Sequence, residues 1–440
     1  MKLKLVVASM SVLGLISCPA FAATHAKHKQ QKMMKQEMAA AHDYKDMGAL
    51  PPMVNDWYNR ISLDGGINFD SVWGNRKMGY MGENYTRLSV NNAFINLNAN
   101  INDWAKAFVA LSFDNTSGLL TGANTTATGN PLSNIQRPKP GHYENIKDSA
   151  GVNIEQAFIT LANFTDMPLY LKLGNEFVDF GKYDPHAITQ TFAQTMTETL
   201  RTAATLGFST QMGLRGSVYT FNNPMQKPAH SKPNYGAMLE YGMPSDQLGY
   251  DIGLGYLYDF TGVNDVAYGV SAYNGTNVTG GVDGGPAVAQ VNVTGPGGAG
   301  TYSSVVSAGT IYGDLNTGPF DFNLRFVSAF KHFASTDLAT SNVATTSATG
   351  AKPWALDLMA GYKFVAWTKT SNVYLGFQDS SQALNLYLPK NRWLLGVGTE
   401  MWKNTNVALQ WNYDTDYGIG VGGTGKKSSL IDLRVGVKFG

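Results

Sequence analysis

Along most of this chain apolar and polar residues alternate one for one rather than with a helical period. The run from Ile431 to Gly440 shows it cleanly. Ile431, Leu433, Val435, Val437 and Phe439 are apolar, whereas Asp432, Arg434, Gly436 and Lys438 are charged or small. In an extended strand these two sets point to opposite faces, and such a strand, tilted, is long enough to cross a bilayer. A last amphipathic strand ending on an aromatic residue looks like the assembly signal of bacterial outer-membrane barrels. The same alternation sets Ile61, Leu63, Ile67, Phe69 and Trp73 against Ser62, Asp64, Asn68 and Asp70. It recurs over 93–101, 105–113, 152–163, 169–177, 203–209, 212–221, 235–241, 248–258, 303–314, 320–331, 354–364, 371–378, 393–402, 407–413 and 430–439. With 61–73 these make sixteen predicted strands. The segment at 203–209 is the weakest, and a strand over 266–273 is the alternative that keeps the count.

The connections sort into two kinds. Short turns rich in Asn, Asp, Pro and Gly fall at 102–103, 165–168, 243–247, 316–319, 365–370 and 403–405. Long connections fall at 74–86, 115–151, 178–202, 222–233, 260–301, 332–353, 379–391 and 416–428, in alternation with the short ones. Short periplasmic turns and long outer loops are the signature of an outer-membrane barrel. The expected fold is therefore all-β: a transmembrane antiparallel β-barrel of about sixteen strands over 56–440. A soluble sandwich has similar patterning. Composition favours the barrel: 48 glycines suit tight turns, and 22 tyrosines, 21 phenylalanines and 8 tryptophans suit aromatic girdles at the two membrane interfaces. No apolar stretch beyond the first 22 residues approaches the length of a membrane-spanning helix.

The first 22 residues read as a secretory signal: a basic head at Lys2 and Lys4, an apolar core from Leu5 to Ser17, and the small-x-small site Ala20-Phe21-Ala22. A second reading takes Leu15-Ile16-Ser17-Cys18 as a lipobox with Cys18 as lipid anchor, and Pro19 argues against it. Cys18 is the single cysteine of the chain, so a chain cut after Ala22 forms no disulfide. Residues 23–55 form a basic segment rich in Met and His. Its His25, His28 and His42, with nearby methionines, offer ligands for a soft or borderline metal such as copper, set against the plainer reading of a solvated tether. The formal net charge is +1 with no concentrated basic stripe, which excludes a nucleic-acid partner.

A sixteen-stranded barrel encloses an aqueous channel. Its wall is the polar half of each strand. Lys172, Glu176, Arg215, Arg325, Asp432, Arg434 and Lys438 are the leading candidates for that wall, since a charge at mid-membrane on the lipid face costs about 2–4 kcal/mol. The third long loop carries Asp179, Lys182, Asp184, His186, Glu198 and Arg201, which are candidates for a constriction, because charged side chains in a pore set solute preference. The competing reading leaves this loop on the outer surface.

The run from Phe177 to His186, the segment Thr205-Leu206-Gly207-Phe208, the segment from Gly216 to Asn222 and the basic region before the barrel together resemble the LbtU-like siderophore porins. These are the legiobactin-receptor family of Legionella and related gammaproteobacteria. The resemblance implies passive uptake of a ferric siderophore without a TonB-coupled plug. Only some 35 residues lie between Ala22 and the first strand, too few for a plug domain. The resemblance carries over no ligand-binding residue. Neither His-Glu-x-x-His nor Gly-x-Ser-x-Gly occurs, so the chain reads as a channel rather than an enzyme, and no cofactor is expected. The alternatives within this reading are a general diffusion porin and, further off, a surface adhesin or structural barrel. The expected partners are outer-membrane lipid and lipopolysaccharide, the barrel-assembly machinery, a small solute or ferric siderophore, and two further copies in a homotrimer.

Overall fold

The computed structural model describes residues 60–75, 85–114, 151–183, 186–223, 232–243, 245, 248–275, 305–340 and 349–440. The expected signal, the Met- and His-rich segment and Cys18 lie outside these residues, as does Asp184.

Sixteen strands close into one antiparallel barrel in which each pairs with its neighbours in sequence and the last returns to the first. They are β1 (Ile61–Asn75), β2 (Tyr85–Asn100), β3 (Ala105–Asp114), β4 (Gly151–Ala162), β5 (Leu169–Phe177), β6 (Leu200–Ser209), β7 (Leu214–Phe221), β8 (Asn234–Met243), β9 (Gly249–Leu257), β10 (Ala308–Thr317), β11 (Phe320–Ala329), β12 (Trp354–Ala366), β13 (Lys369–Ser381), β14 (Asn391–Trp402), β15 (Thr405–Thr415) and β16 (Lys427–Phe439). The closing seam pairs Ile67 with Val437, Phe69 with Val435 and Trp73 with Ile431. Closure leaves no unpaired edge, so every backbone polar group of the wall can be satisfied within the hydrocarbon.

Alternation decides which side meets lipid. Ile67, Leu254 and Leu375 are each 52% exposed or more on the outer face, whereas Arg325 and Asp357 are 2% exposed or less on the inner one. Aromatic pairs ring both ends of the outer face. Phe320 and Tyr362 (5.0 Å) and Tyr241 and Tyr250 lie at the short-turn end; Tyr235 and Tyr258 (4.5 Å) and Phe377 and Trp393 (4.7 Å) lie at the long-loop end. These belts fix the barrel in an outer membrane, with the short turns on the periplasmic side.

Two sequence expectations are corrected. Residues 266–273 form no strand but most of a helix, which we call α2 (Asn264–Gly275). Its Val266, Ala267 and Val270 are buried in the apolar cluster that also holds Phe260 and Leu386, so tertiary packing overrides a β-rich composition. The weak strand is real and starts at Leu200. Arg201 therefore belongs to the wall of β6, opposite Glu176 of β5, and not to the loop.

Candidate functional site

The connection from β5 to β6, residues 178–199, does not lie on the outer surface. It enters the barrel and is fastened to the opposite wall. Gly181 makes the first turn with φ +95°, and a Cβ there would stand 2.7 Å from Thr197. Phe180 then packs edge-on against Phe260 at 6.4 Å. Phe180, Phe192 and Met196 of the loop join Leu257, Ala308, Val327 and Ala355 of the wall in one apolar cluster with α2. This is a hydrophobic core inside the outer half of the lumen, and its burial is what draws the loop inward.

Polar anchors set the loop's depth. Lys182 reaches the periplasmic third of the wall, where its Nζ lies 2.8 Å from Asp251 and 2.7 Å from Asp314. Those carboxylates belong to a larger network. Arg215 pairs with Asp251 at 2.8 Å and with Glu240 at 3.1 Å; Arg325 pairs with Asp314 at 2.7 Å; the Tyr312 hydroxyl donates to Glu240 at 2.6 Å. The Tyr312 ring lies under both Lys182 (5.0 Å) and Arg325 (5.5 Å). It fits because Gly253 leaves the space on β9: a Cβ there would meet Tyr312 at 2.2 Å. Arg325 also donates to the Tyr183 carbonyl at 3.2 Å. Burial pushes the Tyr183 phenol well above its ordinary range, and the Glu198 and Asp179 carboxylates push it further.

Beyond Tyr183 the loop crosses to the far wall. His186 bonds the Asp321 carboxylate and stacks on Tyr374, with ring centres 5.5 Å apart. The Ile188 amide donates to Gln410 at 2.7 Å, and Gln410 donates to the Thr189 hydroxyl at 2.7 Å. Arg392, held by Asp414 at 2.6 Å, donates to the Gln190 carbonyl at 3.3 Å. A one-turn helix, α1 (Phe192–Thr195), follows. Thr191 caps it, and its Ala193 amide donates to Asp357 at 2.8 Å. Glu198 accepts from Gln194 at 2.7 Å on the way back to β6. The loop thus bridges β5 and β6 to β9–β15 and divides the bore.

No family model matches this chain. It is similar to a UPF0422 protein of Coxiella burnetii, 25% identical over 358 residues, which are 81% of this chain and 65% of that protein. It is similar as well to a UPF0422 protein of Legionella pneumophila, 23% identical over 309 residues, 66% of this chain and 54% of that protein. The chain thus spans less than two thirds of the length of these relatives. Among solved structures, OprB of Pseudomonas putida superimposes with a TM-score of 0.53 at 13% identity, covering 87% of this chain and 95% of that one. The outer-membrane channel DcaP of Acinetobacter baumannii gives 0.49 at 11% identity, covering 86% and 97%. The fold is that of a porin.

The remaining wall candidates all face inward. Lys172 pairs with Glu176, which accepts from the Thr205 hydroxyl at 2.7 Å. Arg434 holds Asp70 across the closing seam with two bonds of 2.7 and 2.8 Å, and Asn91 donates to the same carboxylate. Asp432 is buried on the same strand, and Lys438 is exposed at its periplasmic end. Of the loop candidates, Lys182 and His186 touch the opposite wall, while Asp179 and Glu198 stay on the β5–β6 side near Tyr183. Sequence reasoning missed Glu240, Asp251, Tyr312, Asp314 and Asp414. Each stands at an inward position of a strand whose alternation was evident, so parity alone was signal enough.

Proposed function

We propose that this protein is a passive outer-membrane diffusion channel whose third outer loop sets the constriction. The observation that carries the reading is the loop's fastening to the opposite wall through Lys182, His186 and Ala193. A surface loop of an adhesin has no need of anchors inside the lumen. In this reading Asp179, Lys182, Asp184, His186 and Glu198 belong to the constricting segment and Arg201 to the wall beside it. Solutes pass down their gradient, and no energised plug takes part.

The resemblance to LbtU-like siderophore porins names a finer solute, a ferric siderophore. A general diffusion channel is the second reading, favoured by the pairing of acids with bases across the covered wall, which leaves little net field there. Conductance of the purified protein in planar bilayers tests the channel: stepwise openings are expected, and none at any voltage refutes it. Growth on a ferric siderophore as sole iron source, with and without the gene, separates the two solute readings. We propose a homotrimer as the assembled form, which light scattering of the detergent-solubilised protein would check.

A further inference from the structure

The wall of the lumen is not uniform. Over β6–β13 the inward side chains are covered, by the apolar cluster in the outer half and by the loop's anchors below it. Over β1 and β2 and the periplasmic half of β3, inward residues such as Asn68, Asn96 and Lys106 are only half-buried. The chemistry changes there as well. Apart from Phe94, the inward residues of β2 from Asn92 to its end are asparagines: Asn92, Asn96, Asn98 and Asn100. The last three recur at every second residue, about 7 Å apart along the strand.

Of the two carboxylates beside this stripe, Asp70 is neutralised by a guanidinium, whereas Asp64 is held by a neutral amide and keeps its charge at the periplasmic end, where Lys106 and Lys438 also stand. Asn96 donates to Asp64 at 2.8 Å, and Arg434 holds Asp70. Asn98 and Asn100 make no side-chain bond to another described residue, so their amides face the lumen water. An amide offers two donors and one acceptor oxygen and carries no net charge. It can replace part of the hydration of a solute that both donates and accepts, but it cannot supply a counter-charge to an ion leaving bulk water.

We propose that the β1–β2 face is the solute track and that it selects uncharged solutes bearing several hydroxyl or amide groups over ions of the same size. The proposal rests on the diffusion-channel reading above. Lys106 and Lys438 stand at the periplasmic foot of the track, and they define the rival outcome, a path that favours anions.

The test is swelling of phosphatidylcholine liposomes containing the full mature chain, in glucose, gluconate and glucosamine, three solutes of nearly equal size and different charge. Glucose is expected to enter fastest. Asn98→Asp should raise the glucosamine rate relative to glucose by about fivefold, the effect of a unit charge about 4 Å away in a water-like medium. Asn98→Ser, which keeps a neutral donor and acceptor, should preserve the wild-type order. Heat-modifiable migration on gels confirms that each variant is folded. Gluconate faster than glucose overturns the proposal, as does an Asn98→Asp channel with unchanged rate ratios. Entry of none of the three solutes overturns the channel reading itself, whereas entry in the wrong order overturns only the amide track.

Discussion

Replacing Lys182 by methionine keeps most of the length of the side chain and removes the one charge that the loop brings to the periplasmic network. That network balances three cations, Lys182, Arg215 and Arg325, against three carboxylates, Glu240, Asp251 and Asp314. The variant leaves two cations against three carboxylates, a net charge of −1 at the constriction. Two effects follow. The loop loses two charge-assisted bonds at a site where the lysine side chain is 28% exposed and its partners 19% and 11%. At about 1.5 kcal/mol each, discounted for this exposure, the anchor weakens by about 2 kcal/mol. The anchors at His186, Gln190 and Ala193 remain, so the loop stays inside the barrel but fluctuates more. The uncompensated carboxylate attracts cations and repels anions by about 1 kcal/mol each at contact distance in water, so the potassium-to-chloride permeability ratio should rise by up to about thirtyfold. The assay is the reversal potential in a planar bilayer under a potassium chloride gradient, read together with open-channel noise. A ratio and a noise level both equal to wild type would mean that Lys182 is not in the conduction path, and the constriction assignment would fall.

Three other changes probe other parts of the molecule. Arg434→Ala strips the seam carboxylate Asp70 of a bidentate partner at a buried position, which should cost about 3 kcal/mol and lower the temperature at which the folded band is lost on gels; Asp70→Asn in the same background should recover part of it. Gly181→Val forces a β-branched residue into φ +95° against Thr197, at a cost of about 2 kcal/mol to the loop seat, read as faster cleavage of the loop by added protease. Asp265 on α2 is buried, and burial pushes its carboxyl well above the ordinary range. The folded form therefore keeps its proton where the unfolded chain has lost it, so the helix packing loses stability as pH rises above about 4. Asp265→Asn should flatten that slope and raise the melting temperature at neutral pH while changing it little at pH values below about 4.

The barrel was legible because period-two alternation survives in nearly every strand, and where it was lost the cause is local. The predicted second strand began at 93, whereas β2 begins at Tyr85. Asn91 is an extra residue there, between the pairs Asn68–Asn92 and Phe69–Val90. That bulge shifts parity, so Leu88 and Val90 fall out of step with Ala93 and Ile95 although all four face outward. Glu155 does the same in β4. The inward loop was less legible. Its charges could be enumerated, but whether it lies in or out depends on Asp251, Asp314, Asp321 and Gln410, which lie 69 to 222 residues away from their loop partners. No local pattern carries that information.

Charge balance gives a physical reason for the loop to be inside. On the wall that it covers, six inward carboxylates (Glu240, Asp251, Asp314, Asp321, Asp357 and Asp414) stand beside three guanidiniums, Arg215, Arg325 and Arg392. Lys363 adds a fourth cation near Asp321. Without the loop this wall would carry an excess of acid, tolerable only where water reaches it. Seating the loop buries the acids beneath it, Asp357 beside the apolar cluster and Asp251, Asp314 and Asp321 in the periplasmic third, and a buried carboxylate left unpaired costs several kcal/mol. The loop supplies what is missing at three points: the Lys182 ammonium for Asp251 and Asp314, the His186 ring for Asp321 and the Ala193 amide for Asp357. Hydrophobic burial and charge neutralisation thus favour the same seat. Variants that remove wall acids should consequently loosen the loop as effectively as variants of the loop itself, which a loop lying on the outer surface would not do.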